Sequence, residues 1–322
     1  MSDVVYHYTD PKGLIGILTS GQFWATDIRY VNDSSEQVHA EGIFEGFLNQ
    51  LEAEYADKHD EKTILHFCRV NVHRTNRRRG GPVSPSDVEE NEEGIESETA
   101  PKRMWLNEGF AEYVVCFSEE DDCVTQWNTY GSRGSGFSIG FDRENLSKAV
   151  QPRPATNWMA GVSPGVELVK VRYSEDEQVC YLRELWDKAR ERYYDNNRRF
   201  RTVLNLDDCA KTVVREAALS ASRFKHPCFE WESEWRIIVK SPGFGLDLAF
   251  RPSRRTVVPY IKIPDFRGVD QEANRRLPVK SITIGPTLHQ ELSVGSVEAL
   301  LWSKDYRGVE IRKSQLPLVL TD

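Results

Sequence analysis

Between Phe229 and Val239 the chain sets carboxylates at every second position, Glu230, Glu232 and Glu234, and runs on into Trp235-Arg236-Ile237-Ile238-Val239. Side chains of one parity share one face of a strand, so this spacing predicts a strand with the three glutamates in a row. Trp231, Trp235 and Ile237 take the other parity and read as its buried face. Like charges this close raise the pKa of at least one member and repel one another, so the row needs a cation, a donor or a ligand to answer it. Arg236 shares the glutamate parity. The pattern therefore reads either as a partly self-neutralised charge ladder facing solvent or as the polar face of a site, and in both cases it demands a sheet with one apolar and one polar face.

The remaining elements fit around such a sheet. Val4 to Thr9 reads as a strand, followed by a helix with Asp10 as N-cap, Pro11 at its first position and Gly21 as its stop. Phe23 to Thr26 reads as a second strand. Asn32-Asp33-Ser34-Ser35-Glu36 is a cap signal for a long amphipathic helix reaching Tyr55. Further strands are predicted at 112–118, 137–141, 166–173, 246–250, 257–263, 281–284 and 309–312. Helical patterns fill 123–130, 177–200, 207–223 and 289–302. Strands and helices do not alternate regularly, which predicts one α+β domain over 1–322 with a mostly antiparallel sheet and flanking helices, carrying a helical insertion at 175–225. From 71 to 101 a basic run (Arg77-Arg78-Arg79) passes through Gly80-Gly81-Pro82 into an acidic tract with little to bury, which predicts a mobile loop insertion.

Composition excludes several classes. The chain has 322 residues, a formal net charge of -8 and 39% hydrophobic residues, the profile of an ordinary acidic soluble protein whose overall charge alone does not point to a nucleic-acid binder. Its six cysteines show no CxxC spacing, which argues against a zinc site or a disulfide framework. No stretch has the length of a membrane span and no signal sequence is visible at Met1, so a cytoplasmic protein is expected. The Gly-rich turn from Gly131 to Gly136 lacks the strand-to-helix setting of a dinucleotide fingerprint and has no GK[ST] ending.

Three stretches carry possible chemistry. Tyr6-His7-Tyr8-Thr9 places a histidine near a strand end, where one ring nitrogen can be held by backbone while the other meets a ligand. Ser118 ends a strand, and Trp127 and Tyr130 share one side of the short helix that follows, giving a polar group beside aromatic surfaces suited to a planar ring. The acidic run Glu119 to Asp122 between them reads as a helix N-terminus answering its dipole. The glutamate row is the third. Three carboxylates can hold Mg²⁺ or Mn²⁺ as in a nuclease, but Arg236 competes with a cation there.

In this order the stretches resemble an uncharacterised bacterial family, domain of unknown function 2971, whose members occur in phage-defence settings. The matching residues are Tyr6-His7-Tyr8-Thr9 to Gly21, Trp24, Asp27 and Asn32-Asp33, then Phe117-Ser118, Gln126-Trp127 to Gly131, Gly136 to Phe141, Lys225-His226, Glu234-Trp235-Arg236 and Ile284-Gly285-Pro286. More distantly the layout is similar to the ADP-ribosyltransferase superfamily, with His7 at its first motif, Ser118 or Tyr130 at its second and Glu232-Ser233-Glu234 at its third. That resemblance implies an ADP-ribosyltransferase-like split sheet and NAD as substrate. It implies Glu234 as the catalytic carboxylate with Glu232 orienting an acceptor, and His7, Tyr8, Thr9, Ser118, Trp127 and Tyr130 around NAD. No metal is expected. The acceptor is a macromolecule, protein or nucleic acid, and an antitoxin or defence-system partner is possible. The alternatives are a non-catalytic, ligand-sensing module of the same fold and, third, a metal-dependent nuclease.

Overall fold

A computed structural model describes residues 3–31, 35–77, 111–151, 165–200, 206–241, 248–253, 256–264 and 276–317. The greater part of the expected loop insertion, 78–101, lies outside them, whereas 71–77 continue a helix. The chain divides into two compact units. A sheet unit comprises Met1–Asn32, Ala111–Val171 and Cys228–Asp322, and a helical unit comprises Asp33–Phe110 and Arg172–Pro227.

The sheet unit contains strands β1 (Val4–Thr9), β2 (Phe23–Asp27), β3 (Ala111–Ser118), β4 (Phe137–Asp142), β5 (Gly165–Lys170), β6 (Glu234–Ser241), β7 (Leu248–Pro252), β8 (Val257–Ile263), β9 (Val279–Ile284) and β10 (Glu310–Lys313). They form one ten-stranded sheet of an α+β fold, antiparallel except for the β9–β10 pair. The sheet divides at β3. One edge of β3 pairs with β6 from Ala111 to Ser118, and β6 in turn pairs with β5. The other edge is shared: β2 pairs at Tyr113 and Val114, β1 pairs only at Ser118, and Val115 to Phe117 fall between them.

Alternation gives this sheet its two faces. Val5, Val115, Phe117, Ile139, Phe141, Ile237, Val239, Ile282 and Ile284 form the main core, covered by Leu14, Ile17 and Leu18 of α1 (Pro11–Ser20), Leu146 of a helix at Arg143–Ala149, and Val297 and Leu301 of a helix at Gln290–Ser303. Each buried aliphatic side chain contributes roughly 1.5–3 kcal/mol. Helix α1 starts and stops as its sequence predicts: Asp10 Oδ1 accepts the Gly13 N–H at 2.6 Å, Pro11 opens the first turn, and Gly21 takes a left-handed φ of 63°.

The helical unit holds Ser35–Glu54, His59–Arg77, Glu175–Phe200 and Leu206–Ala218 around Phe44, Phe47, Leu51, Ile64, Trp186 and Val213. Buried Gln178 ties together the places where the chain enters and leaves this part of the unit. Its Nε2 donates to the carbonyls of Arg172 at 2.8 Å and Lys225 at 3.0 Å, while Oε1 meets His39 Nε2 at 2.9 Å. The helices at His59–Arg77 and Arg143–Ala149 were not expected from the sequence.

The glutamate row is not a strand. Pro227–Glu232 form a 3-10 turn, Ser233 takes a positive φ of 44°, and β6 begins only at Glu234. Proline has no N–H for a ladder, and the left-handed residue reverses the chain before pairing starts. Trp231, expected on the buried face, is 44% exposed, whereas Trp235 does pack against the core.

Candidate functional site

Residues paired across a ladder share a face, and the register fixes which side chains meet. Ser118 pairs with Tyr6 on β1 and with Glu234 on β6. Tyr8 pairs with Ser138, Gly140 with Tyr6 and with Ser281, and Thr283 with Ser138 and Arg312. All of these therefore lie on the face opposite the main core. The polar face carries Glu234, Arg236, Ser118, Tyr6, Tyr8, Ser138, Ser281, Thr283 and Arg312.

Glu234 is buried and forms a bidentate pair with Arg236, which is 1% exposed. Arg236 Nε donates to Oε1 at 2.8 Å and Nη2 to Oε2 at 2.9 Å, the geometry in which guanidinium and carboxylate bind most strongly. The cation that the sequence offered to the row thus falls to Glu234. Ser118 Oγ donates to the Glu232 carbonyl at 2.9 Å, and the Glu119 N–H donates to the Ser233 carbonyl at 3.0 Å. Both bonds clamp the strained turn onto the end of β3. The Glu232 side chain is buried and Glu230 lies on the turn itself.

Tyr8 is buried, and its hydroxyl is fixed twice: it donates to the Glu120 carbonyl at 2.7 Å and accepts the Cys123 N–H at 3.1 Å. Burial drives its pKa well above the usual phenol value. Trp127, on the short helix Val124–Thr129, is fully buried, edge-on to Tyr8 at 4.8 Å, and donates its indole N–H to Asp122 at 2.7 Å. It positions Tyr8. Tyr130 packs partly buried against the same small cluster.

Asp121 and Asp122 do more than answer a helix dipole. Asp121 Oδ1 accepts from Ser138 Oγ at 3.1 Å and Thr283 Oγ1 at 2.8 Å, and Oδ2 from Arg312 at 3.0 Å. Asp122 accepts from Trp127, Ser314 Oγ and the Gln315 N–H. The loop after β3 is thereby bound to β4, β9 and β10. Apart from Trp127, five residues from Asp122, these partners lie 17 to 193 residues away in sequence, so no local spacing reveals them. Glu119 sits in a second arrangement. Burial works to raise its pKa, but hydrogen bonds from Trp235 Nε1 (2.8 Å) and Lys170 Nζ (2.9 Å) outweigh that and hold it below the ordinary carboxylate value.

His7 and Thr9 have the other parity and belong to the core face. The His7 ring lies 5.8 Å from Phe23 and 5.5 Å from Phe117, and Nδ1 donates to the Cys116 carbonyl at 2.9 Å. That carbonyl falls in the interval of β3 that neither β1 nor β2 covers, so His7 satisfies the backbone at the division of the sheet. Burial pushes its pKa below the ordinary imidazole value. Thr9 Oγ1 lies so close to Gly13 that a Cβ there would clash with it. Of the residues expected around one ligand, the polar face brings Tyr8, Ser118 and Glu234 together and leaves His7 and Thr9 on the other side. Among the described residues no three His, Cys, Asp or Glu side chains group as a metal-ligand set.

This geometry meets one family pattern. Residues 126–237 match the family model described as a protein of unknown function, DUF2971. The DUF2971 match covers about a third of the chain. It begins in the short helix Val124–Thr129 at Gln126, beside the Trp127 that packs on Tyr8, and ends just past the Glu234–Arg236 pair. Tyr6, His7, Tyr8 and Ser118 stand outside it. No curated protein and no solved structure matches the chain. No helix among the described residues is long and apolar enough to cross a membrane.

Proposed function

We propose that the sheet unit binds NAD on its polar face and transfers ADP-ribose to a macromolecular acceptor, protein or nucleic acid, as a toxin or antiphage effector. In this reading the fold is an ADP-ribosyltransferase-like split sheet. The observation that carries it is the placement of Glu234 directly across the ladder from Ser118, on the face shared with Tyr6 and Tyr8, where the sheet divides. Breaking the nicotinamide–ribose bond sends its electron pair to nicotinamide and leaves an oxocarbenium-like ribose, which a nearby carboxylate stabilises. Glu234 supplies that carboxylate and grips a ribose hydroxyl, Ser118 orients the ribose, and Tyr130 stands beside the departing ring. Glu232 orients the acceptor, whose nucleophilic atom bonds to the ribose carbon and gives up its proton. The first strand contributes Tyr6 and Tyr8 to this face in place of His7. The experiment is incubation of purified protein with labelled NAD and lysate, followed by nicotinamide quantification and by protease and nuclease digestion of the labelled product.

A second reading, a ligand-sensing module without turnover, is favoured by one feature: both oxygens of Glu234 are engaged by Arg236. It predicts a thermal shift with NAD and no nicotinamide release.

A further inference from the structure

The polar face continues across β2, β8 and β7, away from Glu234. Thr26 pairs with Val114 on one side and Tyr260 on the other, and Val114 has the parity of Ser118. Trp24, Thr26, Tyr260 and Lys262 therefore share this face, joined by Arg251 through its pairing with Val258. Trp24 is 50% exposed and lies nearly flat on Tyr260, ring centroids 4.7 Å apart at 26°. One indole face is used by Tyr260 and the other side of the residue meets solvent.

Two cations flank this stack. Lys262 stands directly opposite Trp24 on the ladder and is exposed. Arg251 reaches back across β8 to donate to Thr26 Oγ1 at 3.2 Å, and its buried Nε has no hydrogen-bond partner. Among the described residues neither cation has a carboxylate within ion-pair distance, in a chain whose net charge is -8.

We infer that this surface binds single-stranded nucleic acid, with a base stacking on Trp24 and flanking phosphates on Lys262 and Arg251. An open aromatic platform on a sheet face, bordered by cations with no carboxylate at ion-pair distance among the described residues, suits bases that are already unstacked, and every base has a π-face to offer. Cations toward both ends of the stack, Lys262 and Arg251, offer contacts to the phosphates on either side of a stacked base, which favours a strand over a mononucleotide. The surface stands independently of NAD turnover.

The test is fluorescence anisotropy of labelled oligo(dT) and oligo(dA) of about twelve nucleotides, at low and at moderate salt, with the full chain. Wild type binds both, more weakly as salt rises. Trp24→Leu weakens binding about ten-fold or more. Lys262→Glu, an exposed substitution that leaves the aromatic pair intact, weakens binding and flattens the salt dependence. Circular dichroism and thermal unfolding check that both variants are folded. Absence of binding by wild type at low salt, or unchanged affinity in folded Lys262→Glu and Trp24→Leu, overturns the inference. Competition by AMP as effective per molecule as the oligonucleotide also overturns it.

Discussion

His7 Nδ1 donates to the carbonyl of Cys116, 2.9 Å away, and so closes the gap where β1 and β2 part along β3. The imidazole is half-buried beside Phe23 and Phe117, and its native pKa is lowered below 6.5, first by desolvation there. The sign follows. Above pH 6.5 both native and unfolded states carry neutral His7. As pH falls through that value the unfolded state takes up a proton that the native state resists, so stability falls with pH. Thermal unfolding at pH 7.5 and pH 5.5 is expected to show a larger loss for wild type than for His7→Gln. Equal losses would show that His7 does not titrate with folding.

Asp121 gathers Ser138, Thr283 and Arg312 onto one carboxylate. Asp121→Ala leaves the two hydroxyls without their acceptor and takes one of two carboxylates from Arg312, which keeps Glu310, with an expected cost of about 1–3 kcal/mol. Asp121→Asn keeps an acceptor and costs less. Chemical denaturation of the two variants orders them.

Glycine substitutions separate tight from open backbone. At Gly136 an added Cβ would stand 2.4 Å from the Thr9 carbonyl oxygen and 2.7 Å from that of Gly131. These are backbone atoms that cannot rotate away, so Gly136→Ala is expected to cost about 1–3 kcal/mol. Gly46 lies in the helix Ser35–Glu54 with open space around it, and Gly46→Ala is expected to stabilise by about 0.5–1 kcal/mol. Melting temperatures moving in opposite directions confirm the contrast.

The buried pair of Glu234 and Arg236 predicts strong coupling. Truncating either partner alone removes the bidentate pair from a buried charge, at an expected cost of about 3–5 kcal/mol. The double variant Glu234→Leu/Arg236→Met is expected to cost less than either single truncation, and a double-mutant cycle measures the difference.

Much of the fold was legible because it rests on local chemistry. Asp10, Pro11 and Gly21 mark their helix by capping, and alternation marks β4 and β8. The turn at Pro227–Glu232 was misread because glutamate at every second residue imitates a strand, and nothing in a serine announces the positive φ of Ser233. The face of His7 was not legible either. Tyr6-His7-Tyr8 alternates residues that are all aromatic, so only the pairing of Tyr6 with Ser118 decides which parity meets the core. Glu234, Ser118 and Tyr8 could be picked out at their strand ends. The partners of Asp121 come from β4, β9 and β10, contacts that only the folded sheet creates.

The most direct measurement is nicotinamide release from NAD by wild type and Glu234→Asp. The aspartate keeps a negative charge beside Arg236 while withdrawing the carboxylate from the ribose. The account predicts release by wild type and a fall of about 100-fold or more in the variant, with the protein still folded. No release by wild type with lysate present, or equal release by both proteins, would contradict it.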